Sequence, residues 1–317
     1  MFKKWMLALG AAAMCAGVAA QQAFPSKPLR LVVGFAPGGA ADSIARVIAQ
    51  GLGKQLGQQV VVENKPGAEG ILSAQEVQKS APDGYTLLLG TNTAMVKVPA
   101  LNPNPPYDPF KAFTPISTAG QFSVFLVVNK DLPVTNIKQF LDHVAANPGK
   151  YNSGSSNSAA ELAMIQLLGD RKVVNARYKG DVPALTDLVG GSIHMIWTTG
   201  TTAPAFVKDG RAKALLTLQP QRSPLLPDVP TAAEVGLGSL TIKPWAGIFG
   251  PPGMPADVVA RLSTELQNVL KRPDVKEQLV AQGFDAYGMP PQQFSAFFRE
   301  QYDAFVKIVR ENNIKID

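Results

Sequence analysis

Residues 29–42 have the sequence LRLVVGFAPGGAAD, in which a short apolar run meets a glycine pair and then a helical pattern. The run at 29–33 is apolar at four of five positions, as expected for a strand buried on both faces of a parallel sheet. Gly38 and Gly39 predict a tight turn. Apolar residues then recur at helical spacing, and Asp42 is the predicted helix N-cap. A strand that leads directly into a helix is the repeating unit of an α/β fold.

The same alternation of strand and helix continues along the chain and predicts an α/β protein with parallel sheets. The further predicted strands cover residues 60–62, 86–89, 122–128, 173–177, 193–197, 213–218 and 245–249. The further predicted helices cover residues 69–80, 136–146, 160–168, 182–189, 202–209, 255–271, 273–282 and 290–312. The proline-rich residues 99–115 predict a surface crossing, and no strand is predicted after residue 249.

The predicted elements fall into two units of similar size. Residues 24–122 and 246–317 form the first predicted lobe, and residues 123–245 form a second lobe inserted between its halves. The predicted strands 122–128 and 245–249 are the expected crossings between the lobes. Two crossings make a hinge and leave a cleft, where small-molecule sites are commonly found.

The N-terminus carries the three parts of a secretion signal: a pair of lysines, an apolar run over residues 5–18, and small residues that end at Ala20. A membrane-spanning helix is the alternative, but such a helix needs about 20 apolar residues. We therefore expect residues 1–20 to be cleaved after about Ala20 and the protein to reach the periplasm. The single cysteine, Cys15, leaves with this segment. The formal net charge falls from +6 to +4, because 28 basic residues then face 24 acidic ones.

The composition argues against several classes of function. The mature chain has no cysteine and only two histidines, so neither a disulfide nor a metal site is expected. His194 lies in an apolar strand pattern, which favours a structural role. The chain has no G-x-S-x-G or H-E-x-x-H motif and no acids at paired spacing, so we expect neither an enzyme nor a cofactor. A net charge of +4 without a basic stripe argues against a nucleic-acid partner.

Three polar loops follow predicted strands and could hold a ligand. Residues 34–42 precede a helix whose free N–H groups suit a carboxylate or phosphate, although a plain strand-to-helix turn is the alternative. Residues 152–158, NSGSSNS, could meet the same ligand from the second lobe, or form only a flexible connection capped by Ser158. Residues 91–93, Thr-Asn-Thr, form the third loop. Lys179 could pair with an anion, but a lone lysine is usually solvated.

Several segments spread over the whole mature chain are similar to one family. They are PSKPLR (25–30), GFAPGGAAD (34–42), VVVENKPG (60–67), APDGYTLL (81–88), YDP (107–109), YKG (178–180), PALTDL (183–188), RSP (222–224) and PDVPT (227–231). The chain resembles the Bug family, the periplasmic solute receptors of tripartite tricarboxylate transporters. The resemblance implies a type II periplasmic-binding-protein fold, in which two α/β lobes joined by two crossing strands close on a small organic carboxylate. It also implies delivery of that ligand to the membrane subunits of the transporter, and we expect a monomer.

The resemblance places the ligand between loops of the two lobes. The loop at 35–42 and the Gly/Ser loop at 154–157 would hold one carboxylate, largely through main-chain donors and ordered water. The expected ligand-binding residues are Phe35, Ala36, Pro37, Gly38, Gly39, Asp42, Asn92, Phe122, Ser155, Ser156, Asn157, Asp181 and Thr198.

The chain departs from the family pattern where the ligand should lie. Ala41 replaces a usual threonine, Asp181 a small residue, and Thr198 a common aspartate. An acid at position 181, if it faced the cleft, would repel a second carboxylate. We therefore expect a monocarboxylate, aromatic or aliphatic, or an acid with a distal amine or hydroxyl. Two other functions stay open: an exported enzyme for small acids on the same scaffold, and a sensor that reports its ligand to a membrane signalling protein.

Overall fold

In the computed structural model, the apolar run Leu29–Val33 forms the strand β1. The structure describes residues 24–156, 158–178, 180–238, 240 and 244–311. The predicted signal segment lies outside these residues, as do Asn157 and Lys179. Among the helices of the described part of the chain, none is long and apolar enough to cross a membrane.

β1 is buried on both faces, as its composition predicts. Leu29, Leu31 and Val33 join one hydrophobic cluster, whereas Val32 joins another on the opposite face. The division follows from strand geometry, in which successive side chains point to opposite faces. A sheet packed on both sides in this way is the central layer of an α/β lobe.

The first sheet has six strands in the order β11-β4-β10-β3-β1-β2. Its strands after β1 are β2 (Val60–Asn64), β3 (Thr86–Thr91), β4 (Thr114–Phe122), β10 (Trp245–Gly250) and β11 (Phe284–Ala286). β1 pairs in parallel with β2 and β3, whereas β10 runs antiparallel to β3 and β4. The strand that reverses direction therefore arrives from the distant C-terminal part of the chain.

The second sheet has five strands in the order β7-β6-β8-β5-β9. They are β5 (Val124–Asn129), β6 (Asn152–Ser155), β7 (Val174–Arg177), β8 (Met195–Thr199) and β9 (Ala212–Thr217). Here too the first parallel strand, β6, lies between the second and third, and one antiparallel strand, β5, follows. The two sheets share one topology, so the predicted two-lobed α/β fold is confirmed.

Helices cover both sheets. They are α1 (Ala40–Leu56), α2 (Ile71–Gln78), α3 (Val98–Leu101), α4 (Ile137–Ala146), α5 (Ser158–Leu168), α6 (Asp181–Gly190), α7 (Ala203–Lys208), α8 (Ala256–Lys271), α9 (Pro273–Ala281) and α10 (Pro291–Glu311). α10 packs an aromatic cluster against β10: the ring centroids of Trp245 and Phe298 are 5.6 Å apart, and those of Trp245 and Phe294 are 5.8 Å apart. Aromatic rings in edge-to-face contact contribute beyond the area that they bury.

The first crossing between the lobes lies at Ser123, between β4 and β5. Its N–H donates to the carbonyl of Gly283 at 2.7 Å, and its carbonyl accepts from the N–H of Gly200 at 2.8 Å. The predicted single strand over 122–128 is therefore two strands, one in each sheet. The predicted strand at 245–249 forms as β10 but lies wholly in the first sheet, so the second crossing precedes it.

Two strands of the first sheet, β4 and β11, are missing from the sequence-based prediction. β4 contains the small and polar residues STAGQ, which give no apolar signal, although the strand is buried between β10 and β11. Gly120 in β4 has φ +147°, and an added Cβ would lie 2.2 Å from the carbonyl oxygen of Asp285 in β11. The pairing is therefore too close for any side chain at this position, and close pairing rather than hydrophobicity defines the strand.

Candidate functional site

A cavity of about 630 Å³ is lined by residues of both lobes. The first lobe contributes residues 35–41, residues 91–93 and Phe122. The rest of the lining comprises Val124, Ala159, Ala160, Ala163, Trp197, Thr198, Thr199, Leu218 and Pro244. Every one of these residues is neutral, so the polar groups of the described lining are main-chain amides and carbonyls, hydroxyls, one side-chain amide and one indole.

The N-terminus of α1 forms part of the first wall. Gly38 turns the chain with φ +80°, and Gly39 is the N-cap, without a side chain to cap the helix. The first N–H groups of a helix have no partner within it, and together with the helix dipole they amount to about half a positive charge. Ala40 and Ala41 carry two of these groups and line the cavity. This wall therefore offers donors to an anion without any charged side chain.

Asp42 is not the N-cap that the sequence predicts, since α1 begins two residues earlier. The side chain is 3% exposed and does not line the cavity. It accepts hydrogen bonds from the N–H of Gly38, from Nε of Arg46 and from Nδ2 of Asn64, each at 2.9 Å. The hydrogen bond from Arg46 contributes most to lowering the pKa of Asp42 to about 2, against the opposing effect of burial. Asp42 fixes the turn, and Arg46 balances its charge.

The start of α5 and the end of β8 form the opposite wall. Ala159, Ala160 and Ala163 line the cavity at the start of α5, where their small side chains leave room. Trp197, which is 1% exposed, lines it from β8. The body of the cavity is therefore apolar, with polar groups at particular points, as is usual for small-molecule sites.

Asp181, at the start of α6, lies behind this wall and does not line the cavity. Oδ2 accepts hydrogen bonds from the hydroxyls of Thr199 at 2.7 Å, Thr198 at 2.8 Å and Thr202 at 3.1 Å, and from the N–H of Thr199 at 2.8 Å. Oδ1 accepts from the hydroxyl of Ser156. The described donors to Asp181 are thus all neutral, and three of the five belong to Thr198 and Thr199 of the cavity lining.

The predicted Gly/Ser loop is partly a strand, since residues 152–155 form β6. Ser155 is 2% exposed, and its hydroxyl accepts from Nδ2 of Asn175 at 2.9 Å. Neither Ser155 nor Ser156 lines the cavity. The predicted contact of this loop with a ligand, largely through main-chain donors and ordered water, stays a prediction. Asn157 lies outside the described residues.

Eight of the predicted ligand-binding residues do line the cavity: Phe35, Ala36, Pro37, Gly38, Gly39, Asn92, Phe122 and Thr198. They come from four separate parts of the chain, which the fold brings together. Whether they contact a ligand stays a prediction.

Two lining residues that the sequence did not single out as ligand-binding carry buried polar atoms without a hydrogen-bond partner among the described residues. These atoms are Oγ1 of Thr91 and Nε1 of Trp197. An unsatisfied buried donor costs about 1–3 kcal/mol, which a ligand oxygen within reach would offset. Thr91 belongs to the predicted loop at 91–93. For Trp197 the available signal was its place at the end of the predicted strand 193–197, although it is the central residue of β8.

His194 has the structural surroundings expected for it. Its Nδ1 accepts the N–H of Asn152 at 3.1 Å, and its ring meets Tyr151 edge to face, with centroids 5.0 Å apart. Burial lowers the pKa of His194. Within the described residues, no three His, Cys, Asp or Glu side chains form a group that could hold a metal ion.

Two α/β lobes of one topology, with a cavity lined from both, define a periplasmic-binding-protein fold. The chain belongs to the tripartite tricarboxylate transporter family of receptors, since the model of that family, TctC, matches residues 44–314.

One relative and two solved structures support this assignment to the family. The chain is 31% identical over 309 residues to BugT of Bordetella pertussis, with 95% of each chain covered. It is similar to the structure of MatC from Rhodopseudomonas palustris with bound malate, at a TM-score of 0.70 and 30% identity, covering 90% of this chain and 100% of that one. It is also similar to R. palustris Rpa4515 with adipate, at a TM-score of 0.74 and 27% identity, covering 90% and 97%. The predicted resemblance to the Bug receptors is confirmed.

Proposed function

We propose that this protein is a periplasmic receptor that captures a small organic carboxylate between its lobes and delivers it to the membrane subunits of a tripartite tricarboxylate transporter. The observation that carries the proposal is the uncapped N-terminus of α1 in a cavity whose described lining has no charged side chain. Main-chain donors in an apolar site bind an anion more strongly than they would in water.

The related structures support a carboxylate ligand. MatC holds malate and Rpa4515 holds adipate, so two proteins of similar fold bind small acids. A cavity of about 630 Å³ is within the usual range for sites of small molecules. In this chain the carboxylate would lie against residues 38–41, with Asn92 and Phe122 beside it.

Binding can be tested with a panel of aliphatic and aromatic acids in a thermal-shift assay. A ligand at about a hundred times its Kd stabilises the folded protein by about 2.7 kcal/mol, which is readily detected. The best acid is then compared by calorimetry with its primary amide and methyl ester. We expect the amide and the ester to bind at least about tenfold more weakly than the acid, because charge-assisted hydrogen bonds are lost. Equal binding of acid and amide, or no binding by any acid, would contradict the proposal.

Delivery requires a test in cells. Uptake of the labelled acid should fall to background in strains that lack either this receptor or the transporter's membrane subunits. Recovery of the acid in altered form after incubation with the purified protein would instead indicate an enzyme. A lost transcriptional response with normal uptake would indicate a sensor.

The remaining parts of the proposal concern the protein as it exists in the cell. We propose that export removes residues 1–20 and that the receptor is a monomer. We also propose that residues 24–122 and 246–317 move as one lobe against the second lobe, and that Trp245, predicted for the second lobe, moves with the first because it pairs with Gln121 in the first sheet. N-terminal sequencing of the periplasmic fraction should begin at about residue 21. Sedimentation should give the mass of a single chain.

A further inference from the structure

We propose that the wall at Thr198 and Thr199 selects a ligand whose second polar group is a hydrogen-bond donor: an ammonium, a hydroxyl or an amide N–H. This inference rests on the proposed function, because it concerns the end of the acid away from its carboxylate. It assigns Asp181 as a specificity-determining residue that acts through the two threonines.

The inference begins with the direction of the hydrogen bonds between the two threonines and Asp181. A threonine hydroxyl has one proton and two lone pairs, whereas an ionised carboxylate can only accept. The hydroxyls of Thr198 and Thr199 lie 2.8 and 2.7 Å from Oδ2 of Asp181. Hydrogen bonds to a charged acceptor are the stronger ones, so both protons point toward Asp181.

The lone pairs left on the two threonine oxygens determine what the wall can offer to a ligand. Thr202 lies 3.0 Å from the hydroxyl oxygen of Thr198 and 3.2 Å from that of Thr199, and Thr201 lies 2.9 Å from that of Thr199. The single hydroxyl proton of Thr202 goes either to Asp181 or to one of the neighbouring threonine oxygens, and Thr201 can donate to Thr199, so at most one lone pair on the hydroxyl oxygen of Thr198 is occupied in this way. At least one lone pair of Thr198 is left, since only Thr202 and Asp181 contact its hydroxyl in the described network. Because Thr198 lines the cavity, this lone pair would be the acceptor that the wall offers to a ligand.

Charge acts in the same direction. The contacts described for Asp181 all come from neutral groups, and two of its partners, Thr198 and Thr199, line the cavity. At a distance of about 6 Å and an effective dielectric constant of about 20, a second carboxylate would be disfavoured by roughly a hundredfold, and an ammonium favoured to a similar degree. The two walls are therefore complementary to an acid with a donor at its far end.

Matched ligands test this selectivity. The aliphatic set is 5-aminopentanoate, 5-hydroxypentanoate, pentanoate and glutarate. The aromatic set is 4-(aminomethyl)benzoate, 4-(hydroxymethyl)benzoate, 4-methylbenzoate and terephthalate. Calorimetry should show the amino and hydroxy acids binding about tenfold or more tightly than the methyl-terminated acids in at least one set, with the dicarboxylate weakest.

Two variants test the route through Asp181. Asp181→Asn removes the charge, and the new amide can donate to a threonine oxygen. The ratio of the Kd of the dicarboxylate to that of the amino-terminated acid should therefore fall by about tenfold or more. Thr198→Val should weaken the amino and hydroxy acids but not the methyl-terminated acid. Thr186→Val, on the exposed face of the same helix as Asp181, is the matched control and should change none of these ratios.

The outcomes separate this inference from the proposed function. If the dicarboxylate binds wild type most tightly, or if Asp181→Asn and Thr198→Val both leave the ratios unchanged while remaining folded by circular dichroism, the inference is wrong and the receptor role stands. If none of the eight acids nor any acid of the broader panel binds, the proposed function itself fails.

Discussion

Replacing Gly39 by aspartate directly tests the proposed anion site at the N-terminus of α1. Gly39 has φ −76° and ψ 167°, an extended conformation that any residue adopts. An added Cβ would have the carbonyl oxygen of Ala36, at 3.4 Å, as its nearest neighbour. We therefore expect Gly39→Asp to fold. Its carboxylate would take the N-cap position and accept hydrogen bonds from the amides of the first turn.

The substitution would place a fixed carboxylate where we expect that of the ligand. Two like charges about 4 Å apart, at an effective dielectric constant of about 20, repel by about 4 kcal/mol, which is roughly a thousandfold in Kd. Relative to glycine, which is itself a tolerated N-cap, the new cap would contribute only about a few tenths of a kcal/mol to stability, and repulsion from Asp42 would offset part of it. The melting temperature should therefore stay within a few degrees of wild type while binding is lost.

Calorimetry with the best carboxylate of the panel measures the effect, and Gly39→Ala is the control. Alanine adds the Cβ without the charge or the cap, so it should bind within about threefold of wild type. If Gly39→Asp binds the acid as tightly as Gly39→Ala does, the carboxylate does not lie at the start of α1.

Three further predictions concern stability. Asp42→Asn should be less stable by about 1–2 kcal/mol at neutral pH. Because the folded-state pKa of Asp42 is lowered to about 2, its contribution is fully present above about pH 4. Denaturant titrations should therefore show the gap between wild type and variant closing as the pH falls from 4 towards 2. Chemical denaturation should show Gly120→Ala destabilised by several kcal/mol more than Gly149→Ala. Both glycines have positive φ, but of the two only Gly120 faces a close backbone atom. Trp245→Ala should lower the free energy of unfolding by about 3–5 kcal/mol in the same assay. A loss no larger than that of an alanine substitution at an exposed position would contradict the place of Trp245 in the core.

Much of the fold could be predicted from local pattern. β1, β3 and β5 are apolar runs, and α1 and α8 carry clear helical periodicity, so their positions follow from the sequence. β4 could not be predicted in the same way, because its burial depends on β11, more than 160 residues away. Non-local pairing of small residues leaves no local hydrophobic signal.

The candidate site shows the same limit. The loop at 35–41 follows from the strand-to-helix pattern, since the carboxyl ends of parallel strands collect ligand-binding loops. The predicted N-cap role of Asp42 was wrong because the helix begins earlier, and because Asn64, which donates to its carboxylate, approaches only in the folded chain. Arg46, one helical turn away, was the local signal of a different role. The same holds for Asp181, whose threonine partners lie on the next strand and loop. Residue type indicated an acid near the cleft, and only the hydrogen bonds show that it faces away.

The neutral lining of the cavity has a consequence for how such a receptor can change over time. Main-chain N–H groups at the start of α1 are present whatever side chains residues 40 and 41 carry, with proline the exception. Point substitutions can therefore alter Thr198, Thr199 or the alanines of α5 without removing the donors of α1. A receptor built in this way keeps its affinity for the carboxylate while single substitutions change which ligand it prefers.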